Sequence, residues 1–171
     1  MREIIEDAIR IRRSQMELGI PMNVSQGFKE ASLACAFWIA FSRAGYQGYP
    51  EFPYRRGSID AVFVRDKEVI VCEWKRLTSQ SALAMASQTK RMLKFDPCSD
   101  LSKHRFRPKK YRKRLLWACD TWEQKSADWW IGEKATKRSL RPFGGEWKIG
   151  MQVFDRFGED WYPYFWLWAF I

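Results

Sequence analysis

The stretch that decides the fold is GSIDAVFVRDKEVIVCEWKR, residues 57 to 76. It reads as two apolar strands around a polar turn, yet the strands carry Asp60, Glu73 and Lys75. A two-residue turn at Asp66-Lys67 pairs Arg65 with Glu68 and sets Asp60 directly opposite Glu73. Lys75, two residues on, shares their face. Val62, Val64, Val69 and Val71 lie on the face of the acids, and Ala61, Phe63, Ile70, Cys72 and Trp74 on the other. Strands that are apolar on both sides are covered on both sides. The three charges therefore cannot all be a solvated edge; they gather at the open end of the hairpin, where a cleft can reach them.

Outward from the hairpin, residues 2 to 18 carry Ile4, Ile5, Ala8, Ile9 and Met16 at helical spacing, which predicts an amphipathic helix with a basic far side. Gly19 and Pro21 stop it. A second helix is expected over 26 to 44, capped by Asn23 or Ser25 and ended by Gly45. Its apolar residues cover most of its circumference, which makes it central. A short edge strand is expected near Phe52. After the hairpin, Thr78 or Ser79 starts a helix that DPCSD closes. LLWACD reads as a buried strand, 121 to 139 are ambiguous with a helix favoured, and two aromatic-rich strands surround RFGED. The expectation is one α/β domain over 1–171, a mixed central sheet flanked by α-helices.

Composition bounds the partners. The chain has 171 residues, 46% of them hydrophobic, and a formal net charge of +10. That balance favours a polyanionic partner. The N-terminus mixes acids and bases without an apolar core, so it is not a secretory signal. The C-terminal WYPYFWLWAFI is too short, and interrupted by proline, to span a bilayer as a helix. Cys35, Cys72, Cys98 and Cys119 form no CxxC pair, and three of them lie inside apolar segments, which suits buried, reduced core thiols in a cytoplasmic protein. With His104 the single histidine, a histidine-based metal site or a Ser-His-Asp triad has little support.

Two carboxylates opposed across a hairpin have Cβ atoms about 5 Å apart and repel each other unless a cation sits between them. The ordinary cation is a divalent metal, and an all-oxygen pair suits Mg²⁺ or Mn²⁺. Asp60, followed thirteen residues later by Glu73-Trp74-Lys75 at the end of an apolar strand, resembles the PD-(D/E)XK motif of restriction-endonuclease-like nucleases. Ile59 stands where that motif has its proline. The resemblance covers about residues 25 to 95.

It implies a restriction-endonuclease-like fold and a Mg²⁺-dependent nuclease that hydrolyses DNA phosphodiester bonds. Asp60 and Glu73 would be metal ligands, with the Trp74 carbonyl a further one, and Lys75 would serve the attacking water. The family's additional glutamate maps best to Glu30, which shares a helical stripe with Leu33, Ala34, Phe37 and Phe41. Gln88 is a candidate phosphate or metal-water contact, although Met92 stands where some members have a tyrosine.

The segment 101–114 contains KHRFRPKKYRKR. Its cations Lys103, Arg105, Arg107, Lys109, Lys110, Arg112, Lys113 and Arg114 have Phe106 and Tyr111 interleaved, a pattern suited to phosphate backbones and base stacking. The plainer reading is a solvated loop. The aromatic region 146–171 reads first as core, next as a homodimer interface and third as a base-stacking surface. RPFGGE lacks a phosphate-loop pattern, and Arg141 beside it reads as a surface residue. The rival function is a non-catalytic nucleic-acid-binding protein on the same fold. A further alternative is a structural ion-pair cluster, with Lys75 and a nearby arginine neutralising the acids.

Overall fold

The computed structural model describes residues 1–17, 30–78, 81–104, 110–121, 124–132, 143–144, 148–157 and 160–171. In chain order the elements are α1 (Arg2–Glu17), α2 (Glu30–Arg43), β1 (Gln47–Tyr54), β2 (Gly57–Arg65), β3 (Glu68–Arg76), α3 (Ser81–Leu93), α4 (Pro97–Asp100), a 3₁₀ turn (Leu101–His104), β4 (Arg112–Thr121), α5 (Gln124–Ile131), β5 (Lys148–Phe157) and β6 (Asp160–Phe170). The six strands form one sheet in the order β1-β2-β3-β4-β6-β5. β3 and β4 run parallel and every other neighbouring pair is antiparallel. The chain is thus mixed α/β with helices on both faces of a mixed sheet.

The central hairpin has the expected register: Arg65 pairs with Glu68 and Ala61 with Cys72. Its turn places Asp66 in the left-handed region at φ 51°, which aspartate tolerates better than most residues. The two faces separate as alternation dictates. Val62, Val64, Val69 and Val71 join Leu115, Trp117 and Cys119 of β4, Met85 and Met92 of α3, and Trp130 of α5 in one core. Ala61, Phe63, Ile70, Cys72 and Trp74 join Leu33, Phe37 and Phe41 of α2 and Ile4, Ile5 and Ala8 of α1 in the other. Phe41 stacks on Phe63 with ring centroids 4.2 Å apart, and Phe37 on Trp74 at 5.3 Å. Burying each such ring contributes about 1.5–3 kcal/mol, so both cores hold the sheet from opposite sides.

Helix α2 ends as its sequence suggests. Gly45 takes φ 80°, the Tyr46 N–H donates to the Phe41 carbonyl and the Gly45 N–H to the Ser42 carbonyl. This is the double bond pattern of a left-handed glycine cap. Residues 26–29, included in the expected helix, lie outside the described residues. The edge strand near Phe52 is longer than expected, running eight residues along β2. At Gly48 a Cβ would meet the Trp38 ring at 2.6 Å, so glycine lets that ring lie on the strand.

Other details differ from expectation. DPCSD does not simply close α3: Asp96 accepts from the Cys98 N–H and Pro97 takes the first turn, which starts α4. The far side of α1 is not uniformly solvated, because Arg12 is fully buried. Of the four free cysteines, Cys72 and Cys119 are buried, whereas Cys35 and Cys98 are exposed. Cys35 falls on the outward stripe of α2, between the positions that meet the sheet. Among the described residues, no helix is long and apolar enough to cross a membrane.

Candidate active site

The acids of β2 and β3 converge. Ala61 and Cys72 are the last ladder pair, and one step further Asp60 stands opposite Glu73, on the face covered by α3. Glu73 has no solvent exposure, and Asp60 is half-buried. The Trp74 N–H donates to Asp60 Oδ2 at 2.8 Å.

Burial first, and then the negative charge of Asp60, push the Glu73 carboxyl up to about 8; the Arg91 guanidinium partly opposes them. Burial also raises Asp60, while the hydrogen bond from the Trp74 N–H works against that rise.

Helix α3 closes the site from above. Arg91 Nη2 lies 2.8 Å from Glu73 Oε1, and Gln88 Nε2 lies 3.4 Å from Glu73 Oε2. Gln88 and Arg91 are three residues apart and so project from one side of the helix. Gln88 was expected from sequence as a site contact, while Arg91 was not. Its signal was its spacing from Gln88, obscured by the neighbouring Lys90 and Lys94. Lys75 follows Glu73 on the same face, partly exposed and aligned with Cys119 of β4. It makes no ion pair among the described residues. Asp120 of β4 is buried and accepts from Arg76 Nε and Nη2, each at 3.1 Å, which anchors the strand ends beside Lys75.

Glu51 is a third acid that sequence reasoning did not single out. Pro50 pairs with Ala61 and Phe52 with Ile59, so Glu51 lies across from Asp60 on its other side. Its charge raises the Asp60 carboxyl. Glu51 sits at φ 43°, is exposed, and accepts from Ser58 Oγ at 2.9 Å.

Glu30 is the first residue of α2, and its side chain lies outside the described residues. Leu33, Phe37 and Phe41, the stripe it was placed with, pack on the sheet face opposite Glu73. The Trp74 side chain packs on that opposite face too, while its backbone borders the acids.

The basic segment divides. Lys103 lies in the 3₁₀ turn with its side chain outside the described residues, as are Arg105, Arg107 and Lys109 entirely. Lys110 is exposed and Arg112 opens β4. Lys113 Nζ donates to the carbonyls of Leu93 and Phe95 at 2.6 and 2.7 Å, tying down the C-terminus of α3. Arg114 Nε lies 3.4 Å from Glu68 Oε1. Lys113 and Arg114 therefore have structural partners within the fold. Arg141 lies outside the described residues.

The donor set fits a hard divalent cation in chemistry. Asp60 and Glu73 supply carboxylate oxygens, and Gln88 Oε1 is buried with no hydrogen-bond partner among the described residues. Among those residues, no three His, Cys, Asp or Glu side chains come together closely enough to hold a metal by themselves. No family model, curated protein or solved structure matches the chain.

Proposed function

We propose that this protein is a Mg²⁺- or Mn²⁺-dependent nuclease of restriction-endonuclease-like fold that hydrolyses DNA phosphodiester bonds. The observation that carries the reading is the convergence of Asp60 and Glu73 on one face at the centre of the sheet. At that spacing the carboxyl groups cannot both ionise without a cation. A buried acid pair beside a lysine on the same strand is a functional-site candidate.

In this reading Asp60, Glu73 and the Trp74 carbonyl would hold the metal; Glu30 takes no part, because the α2 stripe it belongs to packs on the opposite face of the sheet. The bound metal supplies Lewis-acid polarisation of the phosphate and a water of lowered pKa. Lys75 orients that water and offsets charge on the phosphorane-like transition state. The Trp74 N–H fixes the Asp60 carboxylate, and Gln88 steadies Glu73. Lys103, Arg105, Arg107, Lys109, Lys110 and Arg112 supply charge for the nucleic-acid backbone. The net charge of +10 agrees with such a partner.

The test incubates purified protein with plasmid and linear DNA in Mg²⁺, in Mn²⁺ and in chelator. Cleavage that requires the metal, is lost in Glu73→Ala and is slowed at least about 10²-fold in Lys75→Ala is expected. Cleavage at the wild-type rate in either variant refutes this assignment of the site.

The Arg91–Glu73 pair favours a second reading, in which the acids are neutralised internally and the protein binds nucleic acid without cutting it. Calorimetry separates the two. A non-catalytic binder takes up DNA but gives no Mg²⁺ isotherm dependent on Asp60 and Glu73.

A further inference from the structure

Arg91 does not fit comfortably as a permanent counter-ion. Its guanidinium has five N–H donors in a rigid fork. The Nη2 group meets Glu73 Oε1 at 2.8 Å, whereas Nε is buried with no partner among the described residues. Nη1 reaches the start of β2, where a Cβ built on Gly57 would stand 3.2 Å from it. Glycine there leaves room for the guanidinium beside the two strands that carry the acids. The side chain keeps about a third of its surface open (32%), so it borders both the carboxylates and solvent.

Charge counting shows what a divalent cation does to this arrangement. As carboxylates and guanidinium, Asp60, Glu73 and Arg91 sum to one net negative charge. A divalent cation held by the two carboxylates would turn that sum into one net positive charge and would compete with Arg91 for Glu73. The fork would then have donors free at the open side of a cationic site. A phosphodiester carries one negative charge and two unesterified oxygens, which match an arginine fork in charge and geometry.

We propose that Arg91 is the substrate-binding residue that engages the phosphodiester once the Asp60–Glu73 pair holds a divalent cation. This rests on the nuclease reading above. Arg91 thus exchanges partners: Glu73 in the metal-free protein, phosphate in the loaded complex. Arg91 and Lys75 approach the substrate from different elements, α3 and β3, so they grip different parts of one phosphate group.

The experiment measures two affinities. Mg²⁺ binding is followed by calorimetry without DNA. Binding of a short DNA duplex is followed by fluorescence anisotropy across a salt series in Mg²⁺, in a Lys75→Ala background and within a time too short for its slowed cleavage to cut the duplex. Arg91→Gln is expected to bind Mg²⁺ at least as tightly as its parent, because the competing cation is gone. Its DNA affinity is expected to fall roughly tenfold, with the salt slope reduced by about one. Arg91→Lys is expected to keep the slope and lose part of the affinity, because an ammonium lacks the fork.

Parental DNA affinity and slope in Arg91→Gln overturn the inference and leave Arg91 as a counter-ion only. If Arg91→Gln does not fold, unchanged DNA affinity in Arg91→Lys overturns it instead. A wild-type protein that binds no Mg²⁺ and cuts no DNA removes the nuclease reading and this inference with it. A wild type that cuts, with Arg91→Gln binding DNA as its parent does, removes this inference alone.

Discussion

The backbone N–H of Trp74 donates to Oδ2 of Asp60 at 2.8 Å, so the aspartate is held by the residue that directly follows Glu73. The ladder between β2 and β3 extends as far as Ala61–Cys72, and beyond it the Asp60 side chain takes up a β3 amide. That bond fixes one acid against the strand that carries the other. The consequences can be measured in the protein's response to pH, in its chemistry and in its stability.

Stability in chelator is expected to fall as pH rises. The Glu73 carboxyl lies near 8 in the folded protein against an ordinary 4.5. The folded state therefore binds more protons than the unfolded state between those values, and stability declines through that window. The burial-raised Asp60 shift acts in the same direction. Thermal melts in EDTA should show Tm dropping from pH 5 toward pH 8, with Glu73→Gln flattening the profile. A wild-type Tm that climbs over this range contradicts the buried, protonated glutamate.

Removing the Lys75 ammonium is expected to slow cleavage more than it weakens binding. A preorganised donor to a developing oxyanion is worth about 10²–10³ in rate, while removing one phosphate-binding cation from a basic surface changes affinity modestly. Single-turnover cleavage and duplex binding of Lys75→Ala, measured side by side, give the split. Equal losses in the two would make Lys75 a simple phosphate ligand.

Lys113 is expected to separate from the rest of the basic segment. Its ammonium holds the Leu93 and Phe95 carbonyls, so Lys113→Met should cost about 1–2 kcal/mol of stability through the unsatisfied helix end. Its DNA salt slope should stay as in wild type. Joint replacement of Arg105, Arg107 and Lys109 by Ser should do the reverse, lowering the slope by about one for each phosphate no longer neutralised. Urea unfolding and a salt titration of DNA binding check both halves.

The core under α3 should be sensitive at a polar contact. Trp117 Nε1 donates to Thr89 Oγ1 at 3.0 Å, and that hydroxyl donates to the Met85 carbonyl at 2.8 Å. All of this is buried. Thr89→Val strands the indole N–H and is expected to cost about 1–3 kcal/mol. Trp117→Phe removes the orphaned donor, so in the double variant the destabilisation should be smaller than the sum of the two single effects. Strict additivity in urea unfolding rules out the coupling.

Much of the scaffold was legible in the chain. Alternation in GSIDAVFVRDKEVIVCEWKR fixes which residues share a face, and the short polar turn fixes register, because slipping one residue would invert every side chain. Gly45 marks the end of α2, since it takes the left-handed conformation of a helix cap. The parallel β3–β4 pair and the placement of β6 between β4 and β5 were not readable. They depend on long-range docking that no local pattern encodes.

The sequence by itself determined that Asp60, Glu73 and Lys75 lie together on one side of a hairpin, because a strand's period is fixed by covalent geometry. It could not determine what faces them. Only the tertiary structure brings Arg91 and Gln88 of α3 onto Glu73, sets Glu51 beside Asp60, and sends the apolar stripe of α2 to the opposite side of the sheet. These relations arise from packing two separate cores against a twisted sheet, where a helix face meets whatever surface the rest of the chain leaves uncovered.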